Sequence, residues 1–350
     1  MTPEAREETV KEAVRARREL VNAAIDDYLP MAEPERLYDA SRYLLEAGGK
    51  RLRPAVLLLA AEGLTNTEPL SVEYRTFPTQ GAPEERVDVL AAAVAVEVIQ
   101  SFTLIHDDIM DADDMRRGVE AVHIAFDEET AILAGDTLYS KAFEIMLKTG
   151  APSDRAIEAL DLLATTCTRI CEGQSMDVSF EERQSVSTDE YLEMVDRKTA
   201  VLYAASAAIP AVLLGADDDT VEAMYEYGRT IGQAFQIHDD VLDLTVPSET
   251  LGKQRGSDLI EGKQTIVTLH AQEQGVDVDG LIEASDPEAV DEETIERAVA
   301  ELEEAGSIRF ARTLARDLVE EGKGYLSVLP ENEARLRLEQ VADYLIERGY

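Results

Sequence analysis

Tryptophan is absent from this 350-residue chain, cysteine occurs twice, and aromatic residues make up 5%. So few cysteines exclude a small domain held by disulfides. Cys167 and Cys171 stand at i and i+4, one helical face, but with no further Cys or His nearby they make a poor zinc site. Both are expected to be small buried thiols in a reducing cytoplasm. Positive charge is scarce too: 33 Lys and Arg oppose 72 Asp and Glu, a net charge of −39. That balance excludes a generic role in binding nucleic acid or anionic membrane through a basic surface. Only eight of the 33 basic residues are lysine. An acidic, lysine-poor surface fits a protein adapted to a salt-filled cytoplasm, where counterions screen self-repulsion.

Long uncharged runs are rare as well. The main one, Thr199 to Ala216, nearly reaches membrane-spanning length. It is rich in Ala, contains Pro210 and follows Arg197 and Lys198, so it is read as a buried core helix and no transmembrane segment is expected. The opening MTPEAREETVKEAVRARREL reads as a charged helix without the apolar core of a signal peptide.

Alternating β-branched patterns are missing, whereas helical periodicity recurs along the whole chain. The fold is therefore expected to be all-α, one helical bundle domain over residues 1–350. Ser187-x-x-Glu190 predicts a capping box, and a long apolar helix is expected from Glu85 onward. Thr65 to Glu84 carries three prolines and reads as a flexible loop. Other breaks fall at 150–153, 180–187, 215–219, 247–256 and 274–286. Beyond Pro287 the pattern is charged and amphipathic, as in peripheral helices that cover a core.

Against this background one phrase occurs twice: IHDDIMD at Ile105 to Asp111 and IHDDVLD at Ile237 to Asp243. On a helix Asp107 and Asp111 leave one face, as do Asp239 and Asp243, with Asp108 and Asp240 turned about 100° away. Each phrase follows an apolar run. Two such helices side by side would gather several carboxylates, and that charge needs a cation. Magnesium suits hard oxygen ligands and commonly bridges carboxylates to a phosphate. A solvated acidic face is the plain alternative, and an EF-hand is disfavoured because its sixth-position glycine and closing Glu are missing. The scarce lysines cluster near glycine: Lys50 in GGKRLRP, Lys253 in LGKQRGSD, Lys263 in EGKQT, with Lys198 in DRKTA, and Arg116 and Arg117 in MRRG. Carboxylates with Mg²⁺ and a ring of cations suit a diphosphate.

The ordered series GGKRLRP, LIHDDIMDADDMRRG, AGDTL, CEGQSMD, DRKTA, GQAFQIHDDVLD, GKQRGSD and EGKQT, from Gly48 to Thr265, resembles the short-chain trans-isoprenyl diphosphate synthases, of archaeal and haloarchaeal type. The resemblance implies an isoprenoid-synthase helical bundle around an apolar cavity, a cytoplasmic homodimer, and Mg²⁺, three ions with the substrate diphosphate, replaceable by Mn²⁺. It implies Asp107, Asp111 and Asp239 as metal ligands, supported by Asp108, Asp240 and Asp243. Arg116, Lys198 and Lys253 would hold an allylic diphosphate. Lys50, Arg53, Gln100 and Arg117 would hold isopentenyl diphosphate, with Lys263 as a further substrate contact. Many members carry His where Gln100 stands.

The chemistry so implied is ionisation of the allylic C–O bond, attack by the isopentenyl double bond, and loss of a proton to diphosphate. Lys198, Thr199 and Gln236 would stabilise the cation, while His106 and His238 would pack and not ligate. Phe102 lies five residues before Asp107, about 7.5 Å along a helix, and is expected to form the floor that sets chain length. The expected product is geranylgeranyl diphosphate, with farnesyl diphosphate competing. A terpene cyclase would lack the GGKRLRP site, and a non-catalytic subunit would have lost aspartates or cations.

Overall fold

The computed structural model describes residues 3–82, 84–181, 183, 185–251, 254–282 and 290–347. Sixteen helices are seen among them: α1 Pro3–Tyr28, α2 Glu35–Glu46, α3 Leu52–Thr65, α4 Val89–Met110, α5 Val122–Ala125, α6 Glu128–Met146, α7 Ser153–Glu181 and α8 Thr188–Val195. They continue as α9 Val201–Leu214, α10 Asp218–Thr245, α11 Ser248–Leu251, α12 Ser257–Ile260, α13 Ile266–Glu273, α14 Glu292–Glu304, α15 Ser307–Tyr325 and α16 Glu333–Glu347. Two hairpins of two-residue strands are the sheet structure described, Phe77–Pro78 with Arg86–Val87 and Met115–Arg116 with Val119–Glu120. The fold is all-α.

Two compact units are distinguished: residues 1–167, 205–225 and 326–341, and residues 168–204, 226–325 and 342–350. The first is built on α4, which packs against α1, α3 and α6. Every residue of α4 from Val89 to Ile99 is buried, and each buried Val or Ile contributes about 1.5–3 kcal/mol. The helix starts at Val89 and not at the expected Glu85, because Arg86–Val87 pairs as a strand and Asp88 accepts the N–H of Ala91 at 2.9 Å as the N-cap. The proline-containing loop is anchored within this unit: Tyr74 donates to the buried Glu62 and stacks on Phe77 at 5.5 Å. Glu62 in turn pairs with the buried Arg17 at 2.5 Å.

In the second unit α13 packs against α8, α14 and α15. Ser187 and Glu190 form the expected capping box at the start of α8. Ile295, Ala298, Val299 and Leu302 form the buried stripe of α14, an i, i+3, i+4, i+7 pattern. The expected break at 247–256 contains one helical turn, α11, where Thr250 N–H reaches Pro247 O. Val89–Met110 and Thr188–Leu214 are long and apolar enough to span a membrane, yet 78% and 89% of their apolar windows are buried. Cys167 is buried but Cys171 is exposed, which corrects the expectation of two buried thiols. The buried stripe of α7 runs through Leu163, Cys167, Ile170 and Gln174, and at 3.6 residues per turn Cys171 falls beside it.

Candidate active site

The first aspartate phrase closes α4. Asp107 is half-buried and Asp111, the C-cap, is exposed, its N–H bonded to Asp107 O at 2.8 Å. Asp108 points the other way and is fully buried. It accepts Arg116 Nε at 2.6 Å, and Arg116 also reaches Asp113 at 2.8 Å. Burial pushes the Asp108 carboxyl up while Arg116 pulls it down, and Asp108 Oδ2 has no hydrogen-bond partner among the described residues. Arg117 lies at φ 53° and donates to Leu44 O at 2.9 Å, Gly48 O at 2.6 Å and Glu97 Oε1 at 3.0 Å. Lys50 is exposed, and Arg53 and Gln100 are half-buried.

Packing explains the histidine of this phrase. His106 Nε2 lies 3.2 Å from Ile132 O, and a Cβ on Gly135 of AGDTL would meet that nitrogen at 2.2 Å. Only glycine leaves room for the ring there. His106 also packs edge-on against Phe102 at 5.0 Å. Phe102 is 8% exposed and meets Tyr139 at 5.3 Å, which meets Phe143 at 5.2 Å. Phe102, on the α4 turns before Asp107, thus joins Tyr139 and Phe143 of α6 in one run of aromatic contacts.

In the second unit Asp239 and His238 are half-buried on α10. Asp240 is 4% exposed and accepts from Tyr191 OH, from Gln236 Nε2 at 3.2 Å and from Ile266 N–H at 3.4 Å. Burial pushes its carboxyl up to about 8, partly offset by these donors. Asp243 shares a helical face with Asp239 by spacing, but its carboxylate is buried, accepting from Ser257 Oγ at 2.9 Å and Asp258 N–H at 3.2 Å. It therefore fastens the start of α12 to the end of α10.

DRKTA forms a π-helical turn, Asp196–Ala200, between α8 and α9. Such turns displace backbone carbonyls from the regular ladder and recur at functional sites. Lys198 Nζ pairs with Asp177 of CEGQSMD at 2.5 Å, and Thr199 Oγ1 donates to Gln236 Oε1 at 3.0 Å. Lys263 lies 2.9 Å from Glu261. Lys253 lies outside the described residues. Among the described residues, no group of three or more His, Cys, Asp or Glu side chains is assembled for a metal ion.

Residue-type reasoning passed over Glu97, Arg51 and Tyr191. Glu97 had a signal, being the lone acid between Val89 and Ile105. Arg51 stood inside a motif already singled out. Tyr191 had none, since an aromatic on an amphipathic helix is ordinarily core.

An all-α chain carrying two buttressed aspartate phrases and a set of basic turns belongs to a diphosphate-handling class. Residues 34–302 match the model of the polyprenyl synthetase family, and the chain belongs to that family. It is 66% identical over 341 residues to a geranylfarnesyl diphosphate synthase of Natronomonas pharaonis, covering 97% of this chain and 98% of that protein. It is 52% identical to a geranylgeranyl diphosphate synthase of Methanosarcina mazei, covering 98% and 99%. Among solved structures, the geranylgeranyl pyrophosphate synthetase of Geoglobus acetivorans superposes with a TM-score of 0.84 at 45% identity, covering 96% and 99%.

Proposed function

We propose that this prenyltransferase condenses isopentenyl diphosphate head-to-tail with an allylic diphosphate (dimethylallyl, geranyl or farnesyl) to give geranylgeranyl diphosphate for isoprenoid and membrane-lipid synthesis. The observation that carries this reading is the doubled phrase, in which the middle aspartate is a buried strut both times, Asp108 held by Arg116 and Asp240 by Tyr191. The chain would act in the cytoplasm, as one prenyltransferase domain in a homodimer.

The donor set fits magnesium, for which Mn²⁺ could substitute, because carboxylate oxygens are hard ligands. Asp107, Asp111 and Asp239 would serve as ligands to three such ions with the substrate diphosphate, and Asp108, Asp240 and Asp243 would brace those aspartates. Bound there, the cation would draw charge from the departing diphosphate. Arg116, Lys198 and Lys253 would orient the allylic diphosphate for ionisation. Lys50, Arg53, Gln100 and Arg117 would hold isopentenyl diphosphate, so that its double bond meets the allylic carbon, and Lys263 would be a further substrate contact. Oxygen dipoles of the Lys198 carbonyl, Thr199 and Gln236 would face the positive charge on that carbon. The proton lost from the new prenyl unit goes to the released diphosphate.

A second reading, geranylfarnesyl diphosphate as product, is favoured by the 66% identical relative of that name. One experiment tests both: incubation with isopentenyl diphosphate and each allylic diphosphate in Mg²⁺ and high salt, then chromatography of the dephosphorylated products. A geranylgeraniol peak supports the first reading and a geranylfarnesol peak the second. No incorporation of isopentenyl diphosphate with any starter overturns the condensation.

A further inference from the structure

Glu97 sits in the middle of α4 and is 2% exposed. A carboxylate buried among alanines and valines is costly unless it is paired. Its Oε1 accepts Arg51 Nη1 at 2.5 Å and Arg117 Nη2 at 3.0 Å, and the two arginine side chains are 0% and 15% exposed. Arg51 also donates to Leu45 O at 2.5 Å and Asn22 Oδ1 at 3.0 Å. Both arginines have positive φ, 51° and 53°, a region that side-chain-bearing residues occupy only when their surroundings over-determine it. Burial works against the Arg51 charge, and Glu97 works for it. Two guanidinium groups on one carboxylate leave a positive excess on these turns. Lys50 is the chain neighbour of Arg51, and Arg53 stands two residues on, in the first turn of α3.

We propose that Glu97 is a positioning residue for isopentenyl diphosphate: by clasping Arg51 and Arg117 it fixes the turn that presents Lys50, the start of α3 that presents Arg53 and the turn that presents Arg117, without touching substrate. This rests on the condensation reading above. Glu97→Gln keeps the shape and removes the charge. KM for isopentenyl diphosphate is expected to rise about tenfold or more, as for loss of charge-assisted hydrogen bonds. KM for the allylic diphosphate, and its solvolysis rate without isopentenyl diphosphate, should stay within about twofold because those steps do not use the clasp. Glu97→Gln leaves Arg51 buried against a neutral amide and weakens the fold, so Glu97→Leu with Arg51→Met is assayed beside it. That apolar pair removes the orphan charge, still releases Arg117, and carries the same expectation. An unchanged KM for isopentenyl diphosphate in a folded variant, or an equal loss in both KM values and in solvolysis, overturns the inference alone. Wild-type protein that consumes no isopentenyl diphosphate overturns the condensation reading and the inference with it.

Discussion

Tyr191 donates its phenolic hydrogen to Asp240, and the two residues, 2% and 4% exposed, are 49 positions apart in sequence. A carboxyl shut away from water needs donors, and Tyr191 supplies one that the longer contacts from Gln236 and Ile266 do not replace. Tyr191→Phe removes it with little change of volume. The variant should lose about 1–3 kcal/mol of stability, read as a lower urea midpoint at constant slope in high salt. A midpoint equal to wild type would show that Asp240 is satisfied without it.

Phe102 is enclosed by His106 and Tyr139. If it closes the space into which the prenyl chain grows, Phe102→Ala lengthens the product by at least one isoprene unit, seen by chromatography of the dephosphorylated alcohols. Removing a buried ring also costs about 3–5 kcal/mol, so the assay belongs in stabilising salt. Products of unchanged length would remove Phe102 from the floor.

The net charge of −39 predicts that stability depends on salt. Screening acts over roughly 3 Å at 1 M salt and roughly 10 Å at 0.1 M, so dilution exposes carboxylates to one another. The melting temperature should fall steeply as KCl is lowered from molar to dilute, followed by circular dichroism. A flat profile would count against adaptation to a salt-filled cell.

Asp127 gives an acid-side prediction. It caps α6, and hydrogen bonds from Thr130 and Arg36 hold its carboxyl down to about 2, below the ordinary 3.8. A depressed carboxyl stabilises the fold above its unfolded pKa and loses that contribution as pH falls through its folded value. Asp127→Asn, still a competent cap, should lower the urea midpoint at pH 7 and meet wild type near pH 2, which makes the acid limb between about pH 4 and pH 2 shallower. An acid limb identical to wild type would show that Arg36 and Thr130 do not favour the ionised form.

The motifs from which the candidate site is proposed are legible because they are written in residue type and short spacing. The i, i+4 aspartates, the glycine-flanked lysines and the Ser187 capping box needed only helical geometry. The start of α4 was misplaced by four residues because Arg86–Val87 finds a strand partner across the proline-containing loop. Cys171 was misjudged because a stripe of 3.6-residue period drifts past an i+4 neighbour. Tyr191 carries no local signal, and Glu97, though the lone acid between Val89 and Ile105, does not name the distant arginines that pair with it.

The amino-acid order alone determined an all-α chain, its acidic surface, its two aspartate phrases and the family to which those motifs belong, since periodicity, composition and spacing are local properties. Only the tertiary structure decided that Asp108 and Asp240 turn inward, that Asp243 ties down the start of α12, and that Glu97 holds Arg51 and Arg117. Those pairings span 8 to 49 residues, and burial leaves a polar group only the partners that packing brings within reach.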